Sequence, residues 1–126
     1  MEQLELGSRV ITCGINEPLR DAAKKMNENN VGSVVVVDGG KVVGILTERD
    51  LVRAVASGVP LDAPVSRIAS RNLIIARQGE SMLTVGMKMI EHQIRHIPVV
   101  DDDGKVVGVL SIRDVLRQLT AESAYP

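Results

Sequence analysis

Two tetrapeptides carry the residue types best suited to chemistry: Thr47-Glu48-Arg49-Asp50 and Ser111-Ile112-Arg113-Asp114. Each sets a hydroxyl three residues before a carboxylate. Where a strand gives way to a helix, that spacing has two uses. The first is local. The hydroxyl accepts from an early helix N–H, and the acid sits near the positive helix end, as in a capping box. The second use is recognition. A helix N-terminus offers unpaired N–H groups that suit a phosphate. The hydroxyl can donate to a phosphate oxygen, and the carboxylate can accept from both hydroxyls of a ribose cis-diol. Together they describe half of a nucleoside phosphate site. One set of residues can cap when empty and bind when occupied. Gly44 and Gly108 stand three residues before the hydroxyls. A glycine inside a strand admits close approach by a ligand or by another backbone.

The elements that must position these residues are themselves written twice. "GKVVGILTERDLVR" (Gly40 to Arg53) and "GKVVGVLSIRDVLR" (Gly104 to Arg117) are identical at nine of fourteen positions, which marks an internal duplication. Upstream, "VGSVVVVD" faces "IRHIPVVD", and "PLRDAAKKMNENN" faces "SMLTVGMKMIEHQ". Each copy opens with a short β-rich run, Arg9 to Cys13 and Asn72 to Ala76. Helical spacing of apolar residues follows: Leu19, Ala22, Ala23 and Met26, then Met82, Val85, Met89 and Ile90. Pro18 suits a first turn, where its missing N–H costs nothing. "VDGGKV" and "VDDDGKV" predict hairpins. The last strand runs into a final helix, whose apolar stripe in the second copy is Ile112, Val115, Leu116 and Leu119. The order is therefore β-α-β-β-α, twice. The repeats are placed at residues 8–57 and 72–121, joined by a connector at 58–71 in which Val65 and Ile68 can seat a helical turn. Each half is marginal alone, so one paired domain is expected.

Composition narrows the function. With 126 residues, 44% hydrophobic, the chain can bury one core. That core must be aliphatic, because there is no Trp or Phe and the one Tyr is Tyr125. A bound heterocycle would lie against aliphatic side chains or backbone. A net charge of −1 gives no pull toward nucleic acid or an anionic membrane. The longest all-valine run, Val34 to Val37, is too short to span a bilayer. "MEQLELGSRV" does not read as a signal peptide, and a cytoplasmic location is expected. The single Cys13 permits no internal disulfide and reads as a core residue. His92 and His96 are four apart, a metal-binding spacing on one helix face, but they should straddle a helix end, so no metal is expected. "GGK" at Gly39 to Lys41 lacks the hydroxyl of a P-loop. Met26, Met82, Met87 and Met89 read as core or dimer interface. No catalytic constellation is visible, and the chain reads as no enzyme.

The doubled "VVVVDGGKVVGILTERDL" and "IPVVDDDGKVVGVLSIRDV" resemble the paired CBS domains, named after cystathionine β-synthase. The resemblance runs from about Val10 to Leu119 and includes the connector "ASGVPLDAPVSRIA". It implies an α/β fold of tandem β-α-β-β-α repeats, packed as a pseudo-twofold pair of small sheets flanked by helices. It implies a regulatory module that binds an adenine nucleotide, AMP first and then ADP or ATP, and signals to a partner protein. Asp50 and Asp114 fall where the family binds ribose, and Thr47 and Ser111 where it meets phosphate. Arg95 and His96 fall where phosphate is met from across the pair, beside the Asp50 site. The counterparts in the first copy are Gly32 and Ser33, which leaves the Asp114 site with Ser33, supplemented by Arg113 and Arg49. Thr12 and its counterpart Ile75 fall where adenine lies against a strand. No cofactor is implied, and a homodimer is. Two other readings stay open: a binder of another adenosyl ligand, such as S-adenosylmethionine or NADH, and a ligand-free dimerisation module.

Overall fold

The computed structural model describes residues 10–71 and 73–124. Arg9 and Asn72, where the two opening strands were expected to begin, lie outside the described residues. The chain forms two compact units that divide after Leu73. Among the described residues each contains a three-stranded sheet and two α-helices, which makes the fold a mixed α/β one with two small sheets and four α-helices.

In the first unit, β1 (Thr12–Gly14) leads through α1 (Leu19–Asn29) to β2 (Ser33–Asp38). The helix makes the crossover that parallel pairing of β1 with β2 requires. Strand β2 is central, and this accounts for its unbroken valines: Val34, Val35 and Val36 are all buried. A two-residue turn leads into β3 (Lys41–Thr47), which pairs antiparallel with β2. Gly39 and Gly40 have φ of 58° and 82°, and positive φ at both positions is what a twist-matched hairpin turn demands. Helix α2 (Glu48–Ala56) follows without a gap.

The connector is packed into this unit. Ala63 and Val65 join the core of Cys13, Leu19, Ala22, Met26, Val34, Val36, Leu46 and Ala54. The expected helical turn is a 3-10 turn at Val65–Arg67. Pro18 precedes α1 and supplies no side-chain cap. The orphan N–H groups of Leu19 and Arg20 donate instead to the carbonyls of Ala63 (2.9 Å) and Leu61 (3.0 Å). Farther along, Ser70 forms a bridge with Ile45 at the edge of β3, with backbone bonds of 3.2 and 3.4 Å.

The second unit repeats the plan with β4 (Ala76–Arg77), α3 (Met82–His92), β5 (His96–Val100), β6 (Val106–Ser111) and α4 (Ile112–Ala124). Both hairpins skip one residue at the same place. Val36 faces Gly44 and Val37 faces Val42, while Val99 faces Gly108 and Val100 faces Val106. The core is Ala76, Met82, Val85, Met89, Ile97, Val99, Leu110 and Val115. Two positions of the expected stripes do not belong to it. Ile90 is 74% exposed and Leu116 is 56% exposed. Each directly follows a buried residue, Met89 or Val115, and one helical step of about 100° turns it outward. Gly86 takes the inward place in α3, and a Cβ there would lie 3.1 Å from the Val115 side chain. Met26, Met82 and Met89 are buried as expected, whereas Met87 is exposed.

Candidate functional site

Each hydroxyl–carboxylate turn sits where its last strand becomes its last helix. Thr47 has extended backbone and caps α2. Its Oγ1 accepts from Asp50 N (3.2 Å), while Asp50 Oδ2 accepts from Thr47 N (2.9 Å) and from Thr47 Oγ1 (3.1 Å). In the second copy Asp114 N donates to Ser111 Oγ (3.0 Å), and Ser111 N donates to Asp114 Oδ2 (2.8 Å). Both are complete capping boxes. Backbone bonds pin both turns to the start of the central strand: Glu48 N donates to Gly32 O (3.0 Å), and Ile112 N to Arg95 O (2.8 Å).

The chemistry left over lies mainly on one oxygen per carboxylate. The capping bonds of Asp50 and of Asp114 run through Oδ2, and a carboxylate offers about four lone-pair positions over two oxygens. Oδ1 of Asp114 stands 3.8 Å from Arg117 Nη1, whose side chain is 71% exposed. A pair this long, with its arginine in solvent, contributes little to stability, yet it competes for that oxygen.

The register and exposure of the other expected residues are as follows. Ser33 lies opposite Thr47 in the β2–β3 register and is buried. His96 lies opposite Ser111 in the β5–β6 register and is half-buried. Arg49, Arg95 and Arg113 are exposed. Thr12 is exposed on β1 and pairs with Val35, which pairs in turn with Ile45, two residues before Thr47. His92 ends α3 while His96 opens β5, so the two histidines do not share a helix face. Gly44 resolves its alternatives. A Cβ there would lie 2.5 Å from Ser70 O, so the space is taken by another backbone.

One constellation was missed. Lys25 Nζ donates to Thr12 O (2.8 Å) and pairs with Glu17 (3.1 Å), and Gly14 N donates to Glu17 Oε2 (2.6 Å). Lys88 Nζ donates to Ile75 O (3.1 Å) and to both oxygens of Glu80 (2.7 and 2.9 Å). The two sets are related by the same 63-residue offset as the upstream repeat, so aligning the copies could have found them. The hydrogen bond from Gly14 N and the Lys25 ammonium hold the Glu17 carboxyl below its usual range. Beside it Cys13 is buried, and desolvation, then the Glu17 charge, push its thiol up to about 11. It is a core thiol.

Residues 5–57 and 65–121 each match the CBS domain family. The chain belongs to the CBS-domain family. A 17.7 kDa protein of Acidianus ambivalens is 38% identical over 105 residues, which cover 82% of this chain and 63% of that relative. The chain thus spans somewhat less than two thirds of that protein. A CBS domain protein from Pyrobaculum aerophilum, solved with AMP, matches with a TM-score of 0.83 at 32% identity over 92% of this chain and 95% of the other. The CBS domain pair of protein MJ0100, solved with 5′-methylthioadenosine and S-adenosyl-L-methionine, matches with a TM-score of 0.84 at 33% identity over 93% of each chain. The two repeats seen here are the two CBS domains of such a pair. Among the described residues no helix is long and apolar enough to cross a membrane.

Proposed function

We propose that this CBS pair is a regulatory module that binds an adenosyl ligand, AMP ahead of ADP and ATP, and passes its occupancy to a partner protein. The observation that carries the reading is the twice-built turn in which Oδ2 of the aspartate holds the cap and Oδ1 faces no capping duty. Ribose hydroxyls donate to Oδ1 of Asp50 or Asp114. Thr47 or Ser111 turns its hydroxyl toward a phosphate oxygen at the helix N-terminus. Arg95 and His96 add phosphate contacts, with Ser33, Arg49 and Arg113 as lesser ones, and Thr12 lies near the adenine. The similar structures solved with AMP and with S-adenosyl-L-methionine support an adenosyl ligand as the class. The role is that of a cytoplasmic sensor without catalysis of its own.

A second reading has an observation in its favour. The capping boxes are complete without ligand, and Leu83, Met87, Ile90 and Leu116 leave an apolar stripe exposed on α3 and α4. Both fit a homodimer whose pockets are empty. Calorimetric titration with AMP, adenosine and S-adenosylmethionine separates the readings. Saturable binding of AMP but not adenosine supports a phosphate-dependent sensor. Preference for S-adenosylmethionine moves the assignment to that ligand. No heat and no thermal stabilisation with any of them leaves the dimerisation module.

A further inference from the structure

Among the described residues, the duplicated lysine–glutamate pairs lie along the β1 edge of the first sheet and the β4 edge of the second. Strand β1 is an edge strand, in the order β1-β2-β3. Val35 N donates to Ile11 O (2.9 Å) and Ile15 N to Val37 O (3.1 Å), so the odd-numbered residues face the ladder. Thr12 and Gly14 therefore aim their backbone groups outward, where another strand could pair. Three of those four groups are already taken. Thr12 O accepts from Lys25 Nζ, Gly14 N donates to Glu17 Oε2, and Gly14 O accepts from Glu17 N (3.1 Å). At the β4 edge the two outward carbonyls are engaged in the same way. Gln78 N faces the ladder through Val100 O (3.0 Å), while Ile75 O accepts from Lys88 Nζ and Arg77 O from Glu80 N (3.1 Å). Exposed edge groups are templates for intermolecular pairing, and a charged side chain laid across them removes the template.

We infer that Lys25–Glu17 and Lys88–Glu80 are edge guards: they keep the β1 and β4 edges from accepting a strand of a second copy of this chain. The guard is intramolecular. The lysine comes from the middle of the helix that crosses over the sheet, and the glutamate from the loop before that helix. Packing of the helix therefore carries the guard into place, and an edge is closed as soon as its own repeat folds. The inference is independent of any nucleotide.

The test uses the full chain with both lysines replaced, Lys25→Met with Lys88→Met, which keeps the apolar stems and removes the donors. Sedimentation velocity and thioflavin fluorescence are read against the wild type and against Lys24→Met, an exposed neighbouring lysine. The expected result is an association constant at least about tenfold above the wild type's own assembly, equivalent to about 1.4 kcal/mol. The Thr12 and Ile75 region should gain protection from amide exchange in the associated form, and Lys25→Arg with Lys88→Arg should restore wild-type behaviour. An assembly state unchanged from wild type in a folded methionine variant overturns the inference, as does association by the arginine variant equal to that of the methionine one. Where circular dichroism finds the methionine variant unfolded, Glu17→Gln with Glu80→Gln is read instead, with increased association expected and wild-type assembly overturning the inference.

Discussion

Replacing Asp50 by Asn separates the two uses of one side chain. In the structure Oδ2 accepts from Thr47 N at 2.9 Å and from the Thr47 hydroxyl at 3.1 Å. A carboxamide oxygen can take over both bonds, so the capping box survives. What is lost is the favourable charge at the start of α2, about 0.3–1 kcal/mol. The unliganded protein should therefore melt only a few degrees lower. The NH2 group, however, stands where Oδ1 stood, and it cannot accept from a ribose hydroxyl. A hydrogen bond to a charged group contributes about 1.5–3 kcal/mol, so AMP affinity should fall roughly 10- to 150-fold. Asp50→Ala should lose the ribose contact, the charge and both bonds accepted by Oδ2, with a stability cost of about 1–2 kcal/mol, while Thr47 still accepts from the residue 50 N–H. The assay pairs AMP titration calorimetry with thermal unfolding of the same samples without ligand. Asp114→Asn should cost less affinity, because Arg117 already competes for Oδ1 of Asp114. An AMP affinity in Asp50→Asn equal to wild type would refute the ribose role. Destabilisation as large as that of Asp50→Ala would refute the division of labour between the two oxygens.

Three further outcomes follow from geometry outside the turns. Gly44→Ala should cost about 1–3 kcal/mol and expose the Ser70 amide to exchange, because the new Cβ would sit 2.5 Å from Ser70 O. A wild-type urea midpoint would contradict that. Gln93→Gly should stabilise by about 0.5–1 kcal/mol, read from the same urea curves, since Gln93 ends α3 at φ 55° and glycine holds that conformation without Cβ strain. For Cys13, burial penalises the thiolate and raises its pKa from 9.0 to about 11. Between those values the unfolded chain gives up the proton and the folded one does not, so stability should fall as pH rises from about 9 to about 11. A Cys13→Ala variant should lack that slope in denaturant titrations, and an identical slope would remove Cys13 as its source.

Most of the fold was legible because duplication lets each copy check the other. Element order, hairpin turns and the aliphatic core all followed from patterns present twice. The misses share a cause. Ile90 and Leu116 are apolar and stand next to buried residues, so hydrophobicity alone could not say which of two adjacent positions turns inward. That choice was made by packing: Gly86 lets α3 approach the Val115 side chain, and the neighbours rotate out. The connector shows the same limit. Its glycine and prolines read as a boundary, yet Ala63 and Val65 complete the first core and its carbonyls cap α1. Nothing in its composition announces that it supplies hydrogen bonds that Pro18 cannot.

The candidate site was legible to a different degree in its two roles. Spacing alone gave the capping boxes, because the bonds that make them are local and need only a strand-to-helix junction. Recognition needs atoms left over after capping, and no spacing rule counts those. The structure separates an oxygen engaged in the cap from one that is not, and it separates Asp50 from Asp114 by the neighbouring Arg117. The Lys–Glu pairs make the converse point. Their residues were visible, and the 63-residue offset relates them, but an edge-facing carbonyl has no side-chain signature. Only the ladder register says that Thr12 and Gly14 face away from β2. A lysine eight residues after a glutamate is an ordinary charged helix face until the outward backbone it covers is known. Polar constellations whose bonds are local along the chain can be sought in sequence, whereas those that reach the backbone of another element become visible once register is fixed.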